Sequence, residues 1–538
     1  MQRSASTLVL LFASVSAILG SGWLFSAYYA STIAGPAALL GWVVAGVCIL
    51  FIAFVFAELT TLLPVMGVNT RLPHITHGTL VGFMYGWMIW LCYASIPAAE
   101  VQAIIQYISF YYPPLTHANA GLTEDGYAVA TGLMLLICFI NAFSMRWLLR
   151  SNTTLTFMKI IIPLIIIAVV FAYYFQPAAI IHPDAASFFP MGIKGMLGAI
   201  SAGGMIFAFN GFTQVCELSG TAKRPEFSLP VAIIGSIVLA LIIYVGLQMA
   251  LLTSIQPVNL INGWGHLHLD RANSPLAAIL HQDGLHFLIP LLFVGAMIGP
   301  FAAALIYTGG AAQSLRSKSI NGYLPKFLQT LTSRHTPIYA VFINFAFGMC
   351  LFAPLPGWNK MISFLTSLMA FTYTIGPICL IALRDQVPNR ARPFRLPFGK
   401  LWATVAFYFC TVFSYFSGWD IISKLSIGFI AGFVVLITYR YFSKTHKKTP
   451  LDWKTSVWLW PYIGGITLIS YLGSFGNGKN ILPFGYDLIV LGVFSVIIVL
   501  MASKFKLSAH QAHEHMKVAL EQQSDDIPLA KEGVFATP

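Results

Sequence analysis

Apolar runs alternate with short polar gaps along the whole chain up to about residue 503. The runs cover residues 7–33, 36–63, 80–112, 127–148, 153–175, 195–219, 227–254, 286–315, 337–354, 359–383, 401–419, 421–442, 456–474 and 484–503. Each approaches or exceeds the ~20 residues that a helix needs to cross a bilayer. In hydrocarbon the backbone must satisfy its own N–H and C=O groups, so helices are the expected element. The pattern predicts an all-α integral membrane protein of about fourteen spans, with twelve as the alternative count. The gap at 255–285 reads as an external loop carrying a short surface helix, and the polar segment 504–538 reads as a disordered cytoplasmic tail.

Composition agrees with that class. Of the 538 residues 57% are hydrophobic and 9% charged, against about 25% charged in soluble domains; the mean hydropathy is +0.77. The net charge of +12 does not point to nucleic acid, because no polar domain exists to carry a basic face. The cations sit in alternate gaps instead. Arg71; Arg146 and Arg150; Lys223 and Arg224; Arg316, Lys318, Lys326 and Arg334; Arg384, Arg390, Arg392, Arg395 and Lys400; and Arg440, Lys444, Lys447, Lys448 and Lys454 mark one side. The gaps between them hold Glu124, Asp125, Asp184, Asp270 and Asp283. The positive-inside rule then places both termini in the cytoplasm of a multi-pass plasma-membrane protein. Arg3 followed by "LVLLFASVSAILG" has the outline of a signal peptide. The apolar run continues through "WLFSAYYASTIAG", however, and a cleaved first helix would invert the charge pattern. The seven cysteines form no CxxC pair and read as small buried hydrophobes. His510, His513 and His515 read as the polar face of a helix rather than a metal site.

Two runs contain residues that a spanning helix should avoid. Gly20-Ser21-Gly22 interrupts the first, and Asn210-Gly211 interrupts the sixth, "SAGGMIFAFNGFTQVCELSG". Glycine also serves close helix packing, and "GSG" alone is better explained that way. Interruptions in corresponding segments of two five-span halves are a stronger sign, because transporters bind substrate at such breaks. A half-helix that starts there offers N–H groups to a carboxylate, and one that ends there offers carbonyls to an ammonium group. An α-amino acid carries both.

The same residues carry a family resemblance. "GSGWLF" resembles the first-span signature of amino acid permeases of the amino acid–polyamine–organocation superfamily, with Trp23 in place of isoleucine. "LPVMGVNTRLPHITHGTLVGFMYGW" (63–87), "FAFNGFTQVCELSGTAKRPEFSLPVAI" (207–233) and "SINGYLPKFLQTLTSRHTPIYAV" (319–341) resemble three later motifs in family order. Val68, Thr70 and Asn321 depart from the family pattern. The resemblance covers about residues 7–440. It implies two inverted five-helix repeats within 7–383, accessory spans within 401–503, and spans 1 and 6 unwound around substrate. It further implies carboxylate binding by backbone at Gly20, Ser21, Gly22 and Trp23, and amine binding by carbonyls near Phe207, Ala208, Asn210 and Gly211. Thr213 is placed to touch the substrate side chain.

Lys159, within the fifth run, is costly in a membrane and therefore a functional candidate, although it could also snorkel to the interface. In proton-coupled relatives a lysine stands in a similar T-x-x-K context, so the resemblance implies that Lys159 carries the coupled proton. Glu58, Glu100 and Glu217 read as gates, relays or bundle-facing structural acids, and Phe212 as an aromatic gate. No catalytic triad, phosphate loop or metal spacing is present, so neither an enzyme nor a cofactor or metal is expected. Amino acid transport by proton symport is the expected activity. Amino acid exchange is the alternative within transport, and a channel or a ligand-sensing receptor the alternative outside it. Side-chain preference and oligomeric state are not legible.

Overall fold

The computed structural model describes residues 5–143, 145–174, 188–267, 269–332, 336–442 and 450–525. Asp184, Arg334, Lys444, Lys447, Lys448 and residues 526–538, used above for orientation or as tail, lie outside the described residues, as do the side chains of Arg146 and Arg150. Every regular element described is a helix. They are α1 (Thr7–Ile18), α2 (Gly22–Ala34), α3 (Ala38–Leu62), α4 (Val68–His77), α5 (Thr79–Ile108), α6 (Glu124–Phe143), α7 (Met145–Tyr174), α8 (Gly192–Ala202), α9 (Met205–Ala208), α10 (Phe212–Glu217) and α11 (Pro225–Ser254). The series continues with α12 (Pro275–Gln282), α13 (Ile289–Ile320), α14 (Ile338–Leu351), α15 (Trp358–Tyr373), α16 (Ile375–Gln386), α17 (Gly399–Phe416), α18 (Trp419–Phe442), α19 (Leu459–Leu472), α20 (Tyr486–Lys504) and α21 (Ala509–Asp525).

Helix lies at each of the fourteen apolar runs. By length and apolarity, nine helical segments of the described residues could cross a membrane, or ten if the bent pair Gly192–Ala202 and Met205–Glu217 counts as one. The difference from fourteen has local causes. Gly22–Leu62 counts once because only the turn at Gly35–Ala37 separates α2 from α3, α14 and α19 are short at 14 residues each, and α17 is too polar over its 18 residues.

The packing order is regular. α3 lies against α11, α5 against α13, and α6 against α14, so the second, third and fourth runs each meet the run five places later. The first and sixth runs also meet, in a crossed manner: α1 packs on α10, and α2 on α8. The first half of each run therefore adjoins the second half of the other, and the two run antiparallel.

Residues 509–525 correct the expectation of a tail without structure. They form α21, whose stripe of Ala512, Met516 and Ala519 is buried and which packs against α4 and α16. The 3–4-residue spacing of these small and apolar side chains, among otherwise polar ones, suffices to dock a helix. Arg71 donates to the Ala519 carbonyl at 3.1 Å, and the rings of His74 and His515 stack 4.7 Å apart.

Candidate functional site: two broken helices with occupied ends

The first break follows from local hydrogen bonding. The Leu19 N–H closes the last turn of α1 on Val15, while the Gly20 N–H turns back to Ile18 at 2.9 Å; helix resumes at Gly22. The sixth run breaks twice. Gly204 adopts φ +81°, Gly211 adopts φ +130°, and the run bends by 41° between α8 and α9. These are conformations that side-chain-bearing residues rarely take. The breaks touch each other. A Cβ on Gly22 would stand 2.9 Å from Ala208 Cα, one on Gly211 would stand 2.5 Å from the Ile18 nitrogen, and Ser26 donates to the Gly204 carbonyl at 3.2 Å.

Both free helix ends at the first break already hold an ionisable side chain. The Ser21 N–H, at the amide end of α2, donates to Glu100 of α5 at 2.9 Å. Lys159 of α7 donates to the Ser16 carbonyl, in the last turn of α1, at 2.8 Å and to the Ser16 hydroxyl at 3.4 Å. Glu100 is 1% exposed and Lys159 2%. A carboxyl group sits at the positive end of one helix dipole and an amine at the negative end of the other, the arrangement that each dipole favours when they are ionised. Lys159 thus points into the bundle and does not snorkel.

Tyrosines serve three further carbonyls. Tyr244 of α11 donates to Ala208 at 2.7 Å, with the Ile18 carbonyl 3.3 Å away; Tyr107 of α5 donates to Leu24 at 3.2 Å. Asn210 is held between two hydroxyls: its amide donates to Tyr307 at 2.8 Å, and its oxygen accepts from Tyr373 at 2.9 Å. The Thr213 carbonyl accepts from Asn69 at 3.2 Å.

Aromatic side chains close over the break on two sides. Trp358 of α15 donates its indole N–H to the Ser21 hydroxyl at 2.8 Å, stacks on Phe25 at 4.8 Å and meets the Phe207 ring edge-on at 6.0 Å. On the other side Phe212 lies 5.2 Å from Tyr373 and 5.8 Å from Phe56. Trp23 fills the notch left by Gly295 on α13, so its side chain serves packing.

The acids separate by position. Glu58 lies apart from the break. It accepts from Arg384 at 2.7 and 3.1 Å and from the Leu396 N–H at 2.8 Å, and pairs with Arg392 at 3.5 Å. Glu217 ends α10, and its carbonyl accepts the Gly67 N–H at 3.0 Å. Lys318, read above as a loop charge, is buried at 5% exposure and donates to Ser314.

With this geometry described, the relatives can be placed. The sequence pattern of the family described as "Amino acid permease" matches residues 6–437. The chain belongs to the amino acid permease family. It is 30% identical over 533 residues to the "Glutamate/serine transporter AimA" of Bacillus subtilis (strain 168), covering 97% of both chains. It is 29% identical over 500 residues to the "Aspartate-proton symporter" of the same organism, covering 92% of this chain and 95% of the other. A "Branched-chain amino acid permease BcaP" from that organism is 24% identical over 459 residues, 83% of this chain and 94% of its own. As a family member the chain is a multi-pass amino acid transporter rather than an enzyme.

The structure brings Gly20, Ser21, Gly22, Phe207, Ala208, Asn210, Gly211, Glu100 and Lys159 together. Several partners were missed from sequence: Ser16, Tyr107, Tyr244, Tyr307, Tyr373 and Trp358. A usable signal was present, since each is a hydroxyl or indole within an apolar run or, for Trp358, immediately before one, and such groups need a partner in lipid.

Proposed function

We propose that this permease moves an α-amino acid by alternating access as a proton symporter, with the substrate at the paired breaks and Lys159 as the proton carrier. The observation that supports this is the pair of occupied helix ends. The substrate's carboxylate suits the end that Glu100 holds, and its ammonium suits the end that Lys159 holds. Glu100 and a substrate carboxylate cannot both sit at Ser21 as anions, because like charges at ~3 Å repel strongly. Lys159 and a substrate ammonium stand in the same relation at the carbonyl end of α1. Substrate entry therefore requires one member of each pair to give up its place or its charge. A proton moving onto Glu100, or off Lys159, meets that requirement and ties substrate binding to protonation.

The relatives' names support glutamate, aspartate and serine as the first substrates to test. The alternation of basic gaps supports both termini in the cytoplasm. The deciding experiment is uptake into proteoliposomes under an imposed pH gradient. Lys159→Ala should abolish pH-driven accumulation while leaving amino acid exchange measurable. Undiminished accumulation by that variant would end the proposal.

A further inference from the structure

At the end of the bundle where α16 stops and α17 starts, an open pocket of about 440 Å³ is lined by Arg384, Pro388, Arg392, Arg395, Phe398, Gly399, Lys400 and Leu401. Its charges do not balance. Glu58 is already shared by Arg384, Arg392 and the Leu396 N–H. Asp385 is shared by Lys400 at 2.6 Å and Lys506 at 2.5 Å. Five cations (Arg384, Arg392, Arg395, Lys400, Lys506) thus face two carboxylates (Glu58, Asp385), a surplus of three. Arg395 is exposed and has no carboxylate partner among the described residues. Gly399 matters for the shape, because any side chain there would run into the Arg384 guanidinium.

The rim of the pocket is apolar. Phe398 is 85% exposed and Leu401 66%. Next to them Trp402 stacks on Phe51 of α3 at 4.4 Å, so the apolar rim runs on into the side of the bundle. Such a surface is cationic at the end of the spans and greasy along their flank. An inorganic anion would use only the first feature.

We propose that this pocket binds the phosphate headgroup of an anionic phospholipid, with Arg395 and Lys400 on the phosphate and Phe398 and Leu401 against the acyl chains. Arginine suits a phosphate by forked donation, and basic pockets beside membrane helices attract anionic headgroups. Apolar side chains at the headgroup boundary hold the glycerol end in place.

The test measures binding of fluorescent phosphatidylglycerol and fluorescent phosphatidylcholine to the full-length protein in neutral detergent micelles. Phosphatidylglycerol should bind at least tenfold tighter. At ~1 kcal/mol per near-surface cation, each charge removed should cost about fivefold, so Arg395→Ala with Lys400→Ala should weaken binding roughly 25-fold. Arg395→Lys, which keeps the charge and the fold, should retain most of the affinity. Lys479→Ala, in the loop between α19 and α20, should change nothing. Equal affinity for the two lipids, or an unchanged double variant, overturns the proposal. Displacement of phosphatidylglycerol by equimolar inorganic phosphate also overturns it, because the site would then be one for a free anion.

Discussion

Replacing Glu100 by glutamine probes the occupied helix end directly. The side chains are nearly isosteric, and the amide oxygen can still accept the Ser21 N–H at 2.9 Å. Only the charge goes. A hydrogen bond to a charged acceptor contributes about 1.5–3 kcal/mol and a neutral one about 0.5–1.5. The exchange should therefore lower folding stability by only about 1–2 kcal/mol. Its effect on binding should be larger in kind. In the native protein a substrate carboxylate must displace a charge-assisted bond, a handicap of about 10- to 100-fold in affinity while Glu100 is ionised. Substrate affinity of the native protein should accordingly tighten as pH falls, and Glu100→Gln should bind with the tighter affinity at every pH. The assay is ligand-induced thermal stabilisation of the purified protein across the amino acids at two pH values, where the shift follows RT ln(1 + [L]/Kd). Counterflow exchange in proteoliposomes provides the transport readout. Glu100→Gln should exchange amino acids while accumulating them poorly under a pH gradient. An affinity that keeps the native pH dependence, together with full accumulation, would refute the competition between the two carboxylates.

Three further outcomes follow from geometry already described. Gly211→Ala forces a side chain into φ +130° and against the Ile18 backbone; it should cost at least about 1–3 kcal/mol, and an unchanged melting temperature in detergent would contradict that. Glu58→Gln leaves Arg384 and Arg392, 14% and 6% exposed, without their carboxylate. The stability loss should approach about 3–5 kcal/mol while the pH dependence of uptake by the surviving protein stays native, and the reverse pattern would make Glu58 a relay. His74, on α4, is pushed down to about 4 by burial and by His515, against the pull of Asp452; His77 is pushed down to about 4 by burial, with Lys506 adding to it. His74 stays neutral while α21 is docked and takes up a proton on release, so docking should hold above pH 6.5 and weaken between about 6.5 and about 4. Hydrogen exchange of the α21 amides reads this, and pH-independent protection would contradict it.

The breaks were legible because glycine and Asn-Gly are poor helix formers, and their five-run spacing gave them a shared meaning. The dipole argument assigned an acid to the amide end and an amine to the carbonyl end, both from the substrate; that Glu100 and Lys159 stand at the first break was not legible. Sequence distance hides that pairing: 79 residues separate Ser21 from Glu100, and 143 separate Ser16 from Lys159. Glu58 was equally opaque. Its partners are Arg384 and Arg392, which read from sequence only as orientation signals. The docking of α21 was missed for a different reason. Its buried stripe consists of two alanines and one methionine, too little apolar character to stand out from a polar tail.

The crossed contact of α1 with α10 and of α2 with α8 has a mechanical consequence. A continuous rod through the bilayer transmits any tilt from one face to the other. These two rods are cut at mid-height, and each stump is tied to a stump of the opposite rod at its own level. In the alternating access proposed above, the upper pair would swing aside while the lower pair stays shut, or the reverse. A cargo would then pass without the carrier ever standing open as a hole.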